Sequence, residues 1–158
     1  MDASTESICL SNITETSAAD DYEEVDSNEV AHIPTGLVFT RCAIGQKWEN
    51  DQCVGVASLM TWQEALNTSL GFELNQSKNW RLPNIKELSV IVERSCVRPS
   101  VNTEIFHNSP IDDFWTSTPS MQNAENAWFI SFANGTSSVK NKDRSLAIRM
   151  VRTRLPTE

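Results

Sequence analysis

Four cysteines, Cys9, Cys42, Cys53 and Cys96, constrain this chain more than any other feature. None belongs to a C-x-x-C pair, so no structural zinc site is expected. An even number in a chain of 158 residues reads as two disulfides formed in an oxidising compartment. Four cysteines permit three pairings. We favour Cys42–Cys53, which closes the short loop from Ala43 to Gln52. That leaves Cys9–Cys96 to pin the N-terminal stretch to the body, a restraint worth about 2–4 kcal/mol through its effect on the unfolded chain. The alternative is four reduced thiols packed as small apolar residues.

Charge is unevenly spread. Residues 1–31 hold nine Asp or Glu and no Lys or Arg, whereas residues 32–158 hold twelve acidic and thirteen basic side chains. The net charge of −8 therefore resides in the N-terminal stretch. We read residues 1–34 as an acidic, partly disordered leader and 35–155 as the folded binding domain. An acidic balance argues against nucleic acid as a partner, because phosphate backbones need a net basic face. No apolar run is long enough to span a membrane. Met1-Asp2-Ala3 lacks the basic flank and apolar stretch of a signal peptide. The cysteines nevertheless favour a secreted, periplasmic or cell-surface location over a cytosolic one.

Local patterns place the elements. Gly36 to Arg41 is rich in β-branched and aromatic residues and predicts a strand. Thr61-Trp62-Gln63-Glu64 is a capping box opening a helix to about Leu70, with Gly71 at its end. Asn84-Ile85-Lys86-Glu87 predicts a second capped helix, its apolar face carried by Ile85, Leu88, Ile91 or Val92, and Cys96. Residues 99–120 read as irregular. Trp128 to Phe132 predicts a strand, Asn134-Gly135 a hairpin turn, and Thr136 to Asn141 the returning strand. Ala147 to Arg152 alternates apolar and basic residues, predicting a third strand with one wet face. Two helices followed by a small antiparallel sheet make an α+β domain. Trp80, Trp115 and Trp128 are expected in its core, and Arg81 is expected to satisfy carbonyls at a buried turn.

Trp80-Arg81-Leu82-Pro83-Asn84-Ile85-Lys86-Glu87-Leu88 resembles the W-R-L-P-x-x-x-E-L signature of the Legionella collagen-like protein C-terminal domain family. Thr35-Gly36-Leu37, Arg41-Cys42 and Thr61 to Leu66 are similar to that family's first strand and helix. Phe114-Trp115-Thr116-Ser117, Ala127-Trp128, Phe132 to Gly135 and Ile148 to Arg152 follow in family order. The likeness covers about residues 35–153. It implies a C-type-lectin-like fold, related to formylglycine-generating-enzyme-like domains, in a bacterial surface or secreted module. It also implies adhesin-type binding of glycans, sulfated ones included, and a homo-oligomer in some members. Related domains act as hypervariable display proteins of diversity-generating retroelements, which bind protein receptors.

The residues offer little for catalysis. His32 and His107 are the two histidines, and neither belongs to a nucleophile or metalloprotease motif. Formylglycine-generating enzymes use a late pair of cysteines, whereas no cysteine follows Cys96 here. Asp112-Asp113 reads as a solvated turn. The E-P-N, Q-P-D and W-N-D tripeptides of calcium-dependent lectins do not occur. We therefore expect no enzyme, no cofactor and no metal, and rank a hydrolase or oxidoreductase as a weaker alternative.

Recognition is expected from two late polar segments. Ser120, Gln122, Asn123, Glu125 and Asn126 form the first, and Ser137, Ser138, Lys140, Asn141, Lys142, Asp143 and Arg144 the second. Loops on a rigid sheet are common recognition sites, and Ser, Asn and Lys side chains give adaptable hydrogen bonding. Lys140, Lys142, Arg144, Arg149, Arg152 and Arg154 together would suit sulfate or carboxylate. A glycan is the first ligand class on this reading, and a protein receptor of a diversified display domain is the alternative. The competing reading is that these segments are merely the wet side of a hairpin.

Overall fold

A computed structural model describes residues 7–158. Chain order runs β1 (Ile8–Cys9), a 3₁₀ turn (Ala19–Asp21), β2 (Tyr22–Asp26), β3 (Glu29–His32), β4 (Leu37–Thr40), β5 (Lys47–Glu49) and β6 (Gln52–Val54). It continues through α1 (Trp62–Leu70), α2 (Ile85–Ser89), β7 (Cys96–Val97), β8 (Asp113–Pro119), β9 (Asn126–Ser131), β10 (Thr136–Asn141) and β11 (Val151–Thr153). The protein is thus mixed α and β, with two helices, several small antiparallel sheets and two disulfides. The bridges join Cys42 to Cys53 and Cys9 to Cys96.

Two sheets carry the architecture. One has the strand order β11-β4-β3-β2 and the other β10-β9-β8. Both faces of their central strands are covered. Val30 and Phe39 pack with Leu88, Ile91, Phe106 and Phe114 on one side. Ala31 and Val38 pack with Trp80, Trp115, Phe129 and Met150 on the other. Neighbouring residues such as Phe114 and Trp115 therefore enter different clusters, because successive strand side chains point to opposite faces. Trp80 and Trp115 lie in the core as expected.

Several sequence expectations change here. Tyr22 to His32, read as part of the acidic leader, supplies two strands of the larger sheet. Position 34 lies in the connection between β3 and β4. Acidic side chains of this stretch meet cations of the body: Glu23 pairs with Arg154, Glu24 with Arg41 and Glu29 with Arg152. Residues 1–6 of the expected leader lie outside the described residues. The segment 99–120 also departs from expectation, since Asp113–Pro119 is a seven-residue strand paired with β9. Its Pro119 is tolerated at the strand end, beyond an irregularity in the register.

The segment from Ala147 to Arg152 has no wet face. Arg149 is 1 % exposed and Arg152 is 4 % exposed. Arg149 donates to the carbonyls of Thr40 and Arg41 and to the Ser109 hydroxyl, and its guanidinium lies against the rings of Phe106 and Phe114. Burial lowers its pKa below the usual guanidinium value. Arg152 binds Glu29 at 2.8 Å and Glu158 at 2.6 Å and lies over the Trp80 ring. The carbonyl-satisfying role expected of Arg81 thus belongs to Arg149. Arg81 instead grips Glu87 with two bonds of 2.6 Å at a partly exposed position.

The helices start where their caps dictate. Thr61 accepts from the Glu64 amide, and Asn84 and Glu87 form a reciprocal capping box with 2.9 Å bonds. The second helix is shorter than expected and stops at Ser89. The Ser89 hydroxyl bonds back to the Ile85 carbonyl at 2.6 Å, and the β-branched run Val90-Ile91-Val92 follows. Beyond it the Glu93 carboxylate, 2 % exposed, accepts from the backbone N–H groups of Thr16, Ser17 and Ser95 and from the Ser95 hydroxyl. That carboxylate anchors the N-terminal stretch. The hairpin after β9 is a four-residue connection, with Ser131 opposite Thr136. Gly135 alone takes positive φ there, at 80°. Asn134 works through its side chain, which accepts from the Thr136 amide and hydroxyl.

Two measurements check this architecture. Cys42 and Cys53 are buried, whereas Cys9 is exposed. Graded phosphine reduction with alkylation and mass spectrometry is expected to label Cys9 and Cys96 first. Simultaneous labelling of all four would contradict the burial difference. For Glu93, burial raises the pKa, but bonds from Ser95, Thr16 and Ser17 outweigh it and leave the value below 4.5. A carboxylate depressed in the folded state stabilises it above the unfolded value, and that stability is lost as pH falls through the folded one. Urea unfolding should therefore weaken below about pH 4.5, and Glu93→Gln should flatten that decline while lowering stability at neutral pH.

Candidate functional site

The late polar segments fold as self-closed loops on the smaller sheet. The Ser120 hydroxyl accepts from the amides of Gln122 and Asn123, and the Asn123 carbonyl group of the side chain accepts from Glu125. Asn126 closes the turn by donating to the Asn123 backbone and accepting from Ser120. In the second segment Asn141 accepts from the Asp143 amide at 2.9 Å. Lys142 ties the two loops together. Its amide donates to the Glu125 carbonyl, its ammonium donates to the Ala124 carbonyl at 2.7 Å, and that ammonium stands 4.4 Å from the Trp62 ring centre. Asn123, Asn126, Asn141 and Lys142 thus help to build the loops.

A shallow cleft of about 390 Å³ opens beside them. Ser120, Met121, Gln122, Trp128, Ser137, Ser138 and Val139 line it. Trp128 and Val139 are cross-strand partners in β9 and β10, and β10 is the edge of its sheet. Met121 is 94 % exposed, and Trp128 is half-buried. Of the expected residues, Ser120, Gln122, Ser137 and Ser138 meet here. Asn123, Glu125, Asn126, Asn141, Lys142 and Asp143 do not line the cleft. Lys140 and Arg144 line a smaller depression of about 210 Å³ with Asp112 and Asp113.

Sequence reasoning missed Met121, Trp128 and Val139 as cleft residues. Trp128 was expected in the core with its neighbours. Trp128 shares its face of β9 with buried Ile130 but pairs with Val139 of the edge strand β10, and no local signal marks where the covering of that face ends. Ser137 and Val139 follow the same parity on β10.

The expected basic patch is largely neutralised. Lys140 binds Asp113 at 2.7 Å and lies over Phe129. Arg154 pairs with Glu23, while Arg149 and Arg152 are buried. Arg144 is exposed and has no carboxylate partner among the described residues.

Two other places bear on function. A cleft of about 510 Å³ beside Cys9 and Cys96 is edged by Glu15, Asp20 and Glu104, with Glu93 at its wall. Glu93 is fully engaged by backbone donors, which marks it as a structural anchor. His32 Nδ1 is 2.8 Å from the Thr35 hydroxyl and its ring meets Tyr22 edge-on, while His107 is half-buried elsewhere. Burial lowers both histidine pKa values, aided at His107 by Arg41. Among the described residues, no three of His, Cys, Asp or Glu stand together in a way that could hold a metal ion. No helix among them is long and apolar enough to cross a membrane.

A family model described as the Lcl C-terminal domain matches residues 28–152. No curated protein is significantly similar to the chain.

If Trp128 is a surface residue, its removal costs little stability. Trp115→Ala should destabilise by about 3–5 kcal/mol, as for a fully buried ring. Trp128→Ala should cost about 1 kcal/mol, an ordinary value for a point substitution at a half-buried position. Equal losses in urea unfolding would place both rings in the core.

Proposed function

Because the chain belongs to the Lcl C-terminal domain family, we propose that it is an adhesin-type binding module of a secreted or surface protein. The ligand docks in the cleft floored by Trp128. Family membership and the two disulfides are compatible with an extracellular or surface location. The observation that carries the reading is the juxtaposition of a half-exposed Trp and an exposed Met with the hydroxyls and amide of Ser120, Gln122 and Ser137. A concave site with an apolar floor and a few polar groups is the usual form of a small-ligand site. Its walls are loops closed by their own hydrogen bonds, so they are ordered before binding.

Glycan is the ligand class we place first. A C-type-lectin-like fold is part of this proposal. Support for it comes from the pairing of β11 with β4, which brings late and early strands together, and from the packing of both helices against the smaller sheet. On the same reading the domain is a binder without catalytic chemistry. A protein receptor is the second reading, favoured by the 94 % exposure of Met121, since Met is adaptable at binding surfaces.

A glycan array probed with the intact protein and with Trp128→Ala tests the proposal. Saccharide signals should appear for the former and fall at least about tenfold for the variant, a change of about 1.4 kcal/mol. Signals that survive the substitution would move the site elsewhere.

A further inference from the structure

The cleft around Trp128 carries no formal charge. Its polar contributors are hydroxyls of Ser120, Ser137 and Ser138 and the amide of Gln122, and its apolar ones include Trp128 and Met121. Exposed Arg144 lines the separate depression with Asp112 and Asp113 and not this cleft, and the other late cations are committed elsewhere. Lys140 is held by Asp113 and the Phe129 ring, and Lys142 by the Ala124 carbonyl and the Trp62 ring. Arg149 and Arg152 lie in the core, and Arg154 meets Glu23. Sulfate recognition depends on charge-assisted bonds from exposed Arg or Lys. Breaking the Lys140–Asp113 pair to obtain one would leave a carboxylate beside the anion.

We infer that the ligand is an uncharged saccharide, one ring of which packs on the Trp128 indole while its hydroxyls bond to Ser120, Gln122 and Ser137. This rests on the glycan reading above and sharpens it. A pyranose has an apolar face of C–H groups and a rim of hydroxyls. The indole offers a broad apolar surface to the face. Serine hydroxyls both donate and accept, and the glutamine amide does likewise, so they match a rim of the same dual character. Because β10 is an edge strand, backbone groups on its outer side are unused by any neighbouring strand and add donors and acceptors of the same neutral kind. Nothing in such a site gains from a sulfate, and desolvating one there would be costly.

The test follows the Trp128 indole resonance of the intact protein by NMR. The probes are neutral hexasaccharides (maltohexaose, cellohexaose, laminarihexaose and chitohexaose) and a heparin hexasaccharide, each at low and high salt. We expect at least one neutral probe to shift the indole signal, with an affinity that changes less than about twofold with salt, since no ion pair is there to be screened. Trp128→Ala should weaken that binding at least about tenfold. Ser137→Glu, at an exposed position that does not threaten folding, should weaken it comparably. If the heparin probe alone shifts the indole, with steep salt dependence and sensitivity to Ser137→Glu, the neutral-ligand inference is overturned while the glycan reading stands. If no saccharide shifts the indole, or if binding ignores both substitutions, both are overturned.

Discussion

The ion pair between Glu29 and Arg152 joins the two ends of this fold. Glu29 opens β3 and is 2 % exposed, and Arg152 lies in β11, separated from it by β4 in the same sheet. Breaking a buried pair by removing one partner costs about 3–5 kcal/mol, because a charge is left without compensation. The guanidinium also rests on Trp80, the residue that leads into the R-L-P turn and the capped α2. One guanidinium therefore links β3, β11 and the motif that opens α2. Once β11 is in place, the preceding segment runs between the two hydrophobic clusters, sending Ala147 to one and Ile148 to the other.

That arrangement explains why the smaller sheet can serve as a platform. Its β8 is buried on both faces, α2 packs over β8 and β9, and Gly135 in the hairpin leaves no room for a side chain. An added Cβ there would lie 3.0 Å from Val92. Only toward β10 does the covering end. Trp128 and Val139 continue the inward-facing rows of their strands past the edge of the helix layer and so meet solvent. The cleft exists because the sheet is wider than what covers it.

Much of this was legible in the sequence where the signal was local. The N-cap at Thr61, the capping box at Asn84, the strand at Leu37–Thr40 and the hairpin at Gly135 depend on neighbouring residues alone. The disulfide pairing followed from loop length. What was hidden depended on partners distant in the chain. Glu29 looked like one more acid in an acidic stretch, because nothing near it announces Arg152. Arg149 looked exposed because strand alternation predicts a wet face only when one face is uncovered. At the site, Ser120, Gln122, Ser137 and Ser138 were visible as polar residues in turn-rich stretches. Trp128 was not, since an indole between Ala127 and Phe129 reads as core unless the extent of the covering helix is known.

The Cys9–Cys96 bridge spans 87 positions and links the first strand to the short β7 partner. A pull applied to the residues ahead of Cys9 would pass through the sulfurs into β7 and leave the intervening stretch slack. The larger sheet's β2, β3 and β4, the smaller disulfide loop and both helices lie within that bypassed stretch. Tension from the N-terminal side thus enters the domain at β7, with the force path already shortened by a covalent link. Such a staple acts as a strain relief for the stretch it bypasses.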